Sequence, residues 1–204
     1  MEKKLNSYMG VQSNSQTAHI VGIKDIKQVY EGKTFPGCNH PPVHLLTLDL
    51  SKFDCFSESI QKIGKLPIIY SNCESCDAWM MEGEDLEAEM HFQITAKNKL
   101  KPLNPKQYSI VCSEDSQTRE PEKEYYIDFV PYEGDQNYKW HAVYVGGEPK
   151  WVQEYESISF CTKCSEEMDF IATVRAVRFG CGDQDLYIFV CPGCKTMGMT
   201  MQFT

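Results

Sequence analysis

The chain has 204 residues, 42% hydrophobic and 24% charged, which is ordinary for a globular protein and long enough for a real core in one large domain or two small lobes. Its net charge of −9 speaks against a protein that tracks nucleic-acid phosphates, because that task needs clustered Lys and Arg. The sequence holds no apolar run of about 18 residues or more, so no membrane helix is predicted, and a cytoplasmic protein is the expectation.

Residues 1–30 give weak signals; "MEKKLNSYMGVQSNSQ" has two lysines but no apolar segment after them, unlike a secretory leader. "EGKTFPG" then leads to Cys38 and His40, followed by "VHLLTLDL", a stretch rich in Val, Leu and Thr that reads as a strand. "SKFDCFSESIQKIGK" reads as a turn region with room for one short helix, and "LPIIYS" as a second strand that ends just before Cys73 and Cys76. "MHFQI" closes this part. Residues 95–124, with "KNKLKPLNPKQ" and "SEDSQTREPEKE", are polar and punctuated by Pro, and read as a connecting segment. "YYIDFV" and "WHAVYV" read as further strands. After "GGEPKWVQ" come Cys161 and Cys164, then "FIATVRAV", the turn-like "RFGCGDQD", "LYIFV", Cys191 and Cys194, and finally "MTMQF".

The same five features thus occur twice in one order, and a Gln stands alike in the two closing segments, at Gln93 and Gln202. The predicted fold is α+β and β-rich, with two degenerate repeated lobes built on antiparallel strands. Each lobe carries a zinc-ribbon-like knuckle pair at the open end of a hairpin. Residues 1–94 form the N-terminal lobe, 95–124 the connecting segment and 125–204 the C-terminal lobe.

Ten cysteines in a reducing compartment point to metal binding or redox work before structural disulfides. In the C-terminal lobe, an antiparallel pairing of the two strands with a turn near Gly180–Asp185 brings both Cys-x-x-Cys pairs together at the hairpin's open end. Zinc asks for four ligands at tetrahedral corners with Zn–S distances of about 2.3 Å, and two facing knuckles supply them. The 26 residues between Cys164 and Cys191 exceed the usual ribbon spacing, and two strands with a turn account for them. Cys161, Cys164, Cys191 and Cys194 are therefore the predicted ligands of a four-cysteine zinc site. In the N-terminal lobe, Cys73 and Cys76 make one half-site, and Cys38 and His40 occupy the place of the other, a three-Cys, one-His set. With both sites loaded, the net charge falls to roughly −12. Cys55, Cys112 and Cys181 stand alone and read as structural or incidental.

With those residues in view, "GGEPKWVQ", the Cys pair, "MDFIATV", "LYIFVCPGC" and the closing "MQF" resemble the C-terminal half of the YwqG-like family, a bacterial domain of unknown function. "FPGCNHPPVHLLTLDLSKF" followed by "GKLPIIYS" resembles its N-terminal half, so that the likeness covers about residues 30–204. The chain departs from that pattern at Leu48 and Thr173, where the family's strands often end in Gln, and at "CNH", which replaces a full Cys pair. The C-terminal lobe also resembles, more distantly, the N-terminal region of the programmed cell death protein 2 family. That family is thought to escort a ribosomal protein, and some YwqG-like genes lie beside toxin–immunity systems; both resemblances imply protein binding.

No nucleophile elbow, phosphate-binding loop or dinucleotide fingerprint is present. His19, His40, His44, His91 and His141 form no H-E-x-x-H pair, and a shell filled by four protein ligands leaves no position for a catalytic water. "EGEDLEAE" and "SEEMD" read as solvated surface. Tyr125, Tyr126, Tyr132, Tyr138, Trp140, Tyr144, Trp151 and Tyr155 read as packing between the lobes, or as a protein-binding face where exposed. The predicted function is a non-catalytic protein–protein interaction module, of an immunity- or chaperone-like adaptor kind, with structural zinc and a basic protein partner. The alternatives are a thiol–disulfide oxidoreductase using a Cys-x-x-Cys pair and a nucleic-acid-binding zinc ribbon.

Overall fold

The computed structural model describes residues 7–12, 19–21, 25–36, 38–71, 73, 89–103, 125–132, 142–153, 158–181 and 184–203. Among them are eleven strands: β1 (Ser7–Gln12), β2 (His19–Val21), β3 (Val43–Asp49), β4 (Lys65–Tyr70), β5 (Met90–Ile94), β6 (Leu100–Pro102), β7 (Tyr125–Pro131), β8 (Val143–Gly146), β9 (Asp169–Arg175), β10 (Gln184–Cys191) and β11 (Thr196–Phe203). Nine of these form one sheet in the order β2-β7-β1-β8-β9-β10-β11-β5-β6, and β3 and β4 form a second. Neighbouring strands are antiparallel throughout. A single α-helical turn, α1 (Glu58–Gln61), joins β3 to β4 after a 3-10 turn at Leu50–Lys52, which is the short helix expected between those strands. No helix among the described residues is long and apolar enough to cross a membrane.

The most apolar segment lies deepest. Every residue of β10, "QDLYIFVC", is buried, since both faces of that strand are covered. Leu186, Ile188 and Val190 enter the main core with Leu46, Ile68 and Tyr70 of the small sheet and Phe92 of β5. Tyr187, Phe189 and Cys191 point the other way, into a second cluster with Cys161 and Met168, against which Trp151 and Phe170 pack. A strand buried on both faces needs no polar alternation, and its sequence shows almost none. Each such Leu, Ile or Phe contributes roughly 1.5–3 kcal/mol by leaving water.

Both hairpins expected from the sequence form. β3 pairs with β4 from Val43↔Tyr70 to Asp49↔Lys65, and β9 pairs with β10 from Arg175↔Asp185 to Asp169↔Val190, with an irregularity at Ile188/Phe189. The β9–β10 connection is a 3-10 turn at Ala176–Phe179 that ends on Gly180 in the left-handed region, φ 71°, a conformation glycine takes without a Cβ penalty. Fully buried Cys181 sits beside that turn.

The large sheet draws strands from both halves of the chain. β1 lies between β7 and β8, while β5 extends the sheet beyond β11 and carries β6. The expected boundary between residues 94 and 95 therefore falls inside the β5–β6 hairpin, and residues 100–102 of the expected connecting segment are a strand. β1 comes from the stretch whose sequence signals were weak. Gly10 fits it between its neighbours, because a Cβ there would stand 2.6 Å from Ile127 Cγ2.

Candidate metal centre

Pairing β9 with β10 leaves one open end, and the next strand, β11, starts there too, with Thr196 opposite Cys191. The two Cys-x-x-Cys turns meet at this end. The ligand atoms of Cys161, Cys164, Cys191 and Cys194 all lie within 4.8 Å of one another, and Cys164 Sγ is 3.7 Å from Cys191 Sγ. Four sulfurs about 2.3 Å from a tetrahedral ion would stand about 3.8 Å apart. None of the described cysteines is in a disulfide, which would need sulfurs about 2.05 Å apart.

Local backbone explains the shape of each turn. Cys161 N–H donates to Glu166 O and Ser165 N–H to Cys161 O, which folds the first turn back on itself. Ser165 and Lys195, each directly after the second cysteine of a pair, take positive φ of 61° and 51°. That conformation reverses the chain sharply enough to aim both thiols inward. Cys161 is buried and Cys164 is exposed, while Cys191 is buried and Cys194 half-buried.

The thiols differ in acidity. Burial works against a Cys161 thiolate. The Thr196 hydroxyl, 3.2 Å away, and the N–H groups of Lys163 and Cys164 outweigh it and bring Cys161 down to about 6. Cys194 is pushed up to about 12, first by its hydrogen bond with Cys164 and then by burial. Crowded thiols hold one another's protons in this way, and a cation is the partner that would let all four ionise. This donor set suits a soft, tetrahedral divalent metal such as zinc.

A smaller group gathers at the open end of the other hairpin. Cys38 precedes β3, Cys73 follows β4, and their sulfurs lie with a His40 ring nitrogen within 4.8 Å of one another. His40 Nδ1 is 3.6 Å from Cys38 Sγ, and His40 N–H donates to that sulfur at 3.3 Å, as the turn amides of Lys163 and Cys164 do to Cys161. Cys76, the fourth expected ligand, lies outside the described residues, as do Cys112 and most of "EGEDLEAE". Cys55 is half-buried, and burial pushes its thiol up to about 11, which makes it a poor nucleophile.

A depressed thiol beside a second cysteine is also what an oxidoreductase displays. Reactive thiols of that kind are partly exposed and often lie at a helix N-terminus. Here Cys161 is 1% exposed and its turn opens onto a strand. Beside the first turn, Glu166, Glu167 and Asp169 are exposed, as are Lys163 in the turn itself and Lys195 after the second. Of the aromatic residues between 125 and 155, Trp151 packs 4.4 Å from the Tyr187 ring and Tyr132 packs 5.1 Å from Tyr144; Tyr138, Trp140 and Tyr155 lie outside the described residues.

The residues that sequence reasoning missed are Thr196 and the polar face of β5. Glu89, His91 and Gln93 reach toward the C-terminal turns, and their alternation with Met90, Phe92 and Ile94 was the available signal. The chain matches no family model, no curated protein and no solved structure.

Proposed function

We propose that this protein is a zinc-stabilised, non-catalytic adaptor that works by binding another protein. The observation that carries the reading is the convergence of four thiols from two turns, 26 residues apart in sequence, at the foot of one β-ribbon. Zinc held by Cys161, Cys164, Cys191 and Cys194 has no open position for water or substrate, so its contribution is to folding. A second zinc on Cys38, His40, Cys73 and Cys76 belongs to the same reading. Free thiols suit a reducing, cytoplasmic setting.

Internal duplication and kinship with the YwqG-like proteins are further parts of the reading, supported by the order of motifs. The duplication draws additional support from strand register. Equating Gln93 with Gln202 makes Met90 and Met199 counterparts, and those two residues face each other in the β5–β11 ladder. Two equivalent strands packed around a local two-fold axis would pair in this manner.

Protein binding is supported by the surface beside the first turn. Ile158 and Phe160 are exposed at 39% and 53%, on the same side of a segment whose middle residue, Ser159, is buried. Glu167 lies opposite Phe160 in an antiparallel bridge, with exposed Glu166 and Asp169 close to it in sequence, and burial together with the charge of Glu167 raises the Asp169 carboxyl. A basic partner with an apolar anchor would relieve both features.

Native mass spectrometry of the purified chain tests the metal reading. Two zinc ions are expected, a value near one removes the N-terminal site, and a value near zero removes both. Affinity capture from native extract, with the wild-type chain and Phe160→Ser compared at low and high salt, tests the partner. A specific protein lost on substitution and weakened by salt is the expected result, and equal capture by both baits overturns it.

A further inference from the structure

Strand β5 precedes the C-terminal cysteines by some seventy residues or more, yet its polar face is built around them. Met90, Phe92 and Ile94 are buried in the core, so the pleat turns Glu89, His91 and Gln93 to the opposite face. Each of the three holds the segment leading into Cys161 or one of the two cysteine turns. Glu89 accepts a hydrogen bond from the hydroxyl of Ser159. His91 Nε2 donates to Phe160 O at 2.9 Å, the carbonyl just before Cys161, and stands 3.2 Å from Glu89 Oε1.

Gln93 reaches furthest. Its Nε2 donates to Lys195 O at 2.7 Å and lies 3.3 Å from Cys194 O, both in the second turn. Its Oε1 accepts from Lys163 Nζ in the first turn. One neutral side chain thereby fastens the 161–164 turn to the 191–194 turn. The backbone N–H of Ile94 adds a bond to Lys195 O at 2.8 Å.

We propose that Gln93 is a positioning residue of the C-terminal metal centre, with His91 and Glu89 holding the segment that leads into Cys161, and that Gln93 governs how long the ion is held. The inference rests on the metal reading above. Release of a four-coordinate ion begins when one turn swings its sulfur away, and a tether between the turns favours religation before the next sulfur leaves. Outer-shell partners of metal ligands act in this way, and losing one typically weakens the site roughly 10- to 100-fold. An amide suits the position. A carboxylate there would face two carbonyl oxygens and add charge beside a thiolate cluster that is already negative.

The test uses the full zinc-loaded chain and an excess of a chromophoric chelator. Gln93→Leu removes both arms of the tether, Gln93→Glu keeps the shape and reverses the donor, and Lys163→Met removes one arm from the exposed side. The expected result is release roughly 10- to 100-fold faster in the two Gln93 variants, with a smaller acceleration in Lys163→Met. Cobalt-substituted Gln93→Glu should show altered thiolate bands. Chelated wild type and chelated Gln93→Glu should melt together, while their metal-loaded forms should not. A residue with a merely structural role would lower both melts alike, and that outcome overturns the proposal. Unchanged release in all variants of a zinc-bearing chain also overturns it and leaves the metal reading standing, whereas a wild-type chain without zinc removes both.

Discussion

Gly198 of β11 lies so close beneath Ser159 that a β-carbon at the glycine would collide with the serine hydroxyl and stand 3.2 Å from Met168 Sδ. The segment leading into Cys161 is thus laid across bare backbone, opposite His91 in the β5–β11 register. Glycine weakens a strand by its entropy, and close approach of another chain segment is one reason to keep it. Gly198→Ala should destabilise the protein by about 1–3 kcal/mol, as overpacking does in a dense interior, and should lower zinc retention. Ser159→Gly on top of it should restore part of the loss. Urea denaturation of the three proteins, together with zinc content after dialysis, measures both effects; a neutral Gly198→Ala would contradict the close packing.

Thr196→Val tests the electrostatics of the centre at constant shape. Without the hydroxyl, Cys161 loses the largest influence that lowers it to about 6. Protons and metal compete for the thiolate, so a Cys161 that binds its proton more tightly releases metal at a higher pH. The midpoint of acid-induced zinc loss should move upward, and affinity near neutrality should fall less than about twofold for a first tenfold gain in the thiol's hold on its proton, approaching tenfold per further tenfold gain once the thiol is mostly protonated there. Zinc content across a pH series, read for wild type and variant side by side, checks the direction. An unmoved midpoint would mean that the hydroxyl only fills space.

Glu89 and His91 predict a pH window for the docking of β5. Burial works against the charge of each, yet the hydrogen bond they share wins: Glu89 is lowered and His91 raised. His91, with its folded value above the unfolded one, contributes stability that is present below the unfolded value and fades as pH rises through the folded one. Glu89, with its folded value depressed, contributes stability present above its unfolded value and lost as pH falls through the folded one. The pair therefore supports the fold in mildly acidic solution, between the two losses. A charge-assisted bond of this kind is worth about 1.5–3 kcal/mol when buried and less here, because Glu89 is partly open to solvent. His91→Gln should remove the high-pH limb of the stability profile, as read from denaturation midpoints at a series of pH values.

Much of this site was legible in the sequence because its signals are local. Two Cys-x-x-Cys turns flanking a strand, a turn and a strand admit few foldings that leave four thiols apart. Phe35-Pro36-Gly37-Cys38 ahead of β3, and Cys73 just after β4, repeat that logic on the other hairpin. The rest depends on pairings between distant segments. "SYMGVQ" carries little β signal of its own, and β1 becomes a strand because β7 and β8 flank it on both sides. β5 follows the β3–β4 hairpin as β11 follows β9–β10, so local reasoning assigns it to its own hairpin. It joins β11 instead, where Met90 and Phe92 reach the shared core. Thr196 is an ordinary strand residue by its letter; its role comes from lying opposite Cys191 and beside Cys161 at once.

The left-handed residues after each cysteine pair offer a way to strengthen the fold. Lys195, at φ 51°, has an exposed side chain, and its carbonyl supplies the contacts to Gln93 and Ile94. A non-glycine residue held in that region costs roughly 1–2 kcal/mol, whereas glycine costs about 0.5–1 kcal/mol through the extra freedom it brings to the unfolded chain. Lys195→Gly should therefore gain about 0.5–1 kcal/mol with its carbonyl contacts intact. Gly193, in the same turn, has no positive φ and no atom within 4 Å of an added β-carbon. Gly193→Ala should recover a similar amount by restricting the unfolded chain. The two changes together move the turn's glycine by two positions, and the double variant should melt above either single one while retaining zinc. A loss of stability in Lys195→Gly would show that the lysine side chain, rather than the conformation of its backbone, is what the turn requires.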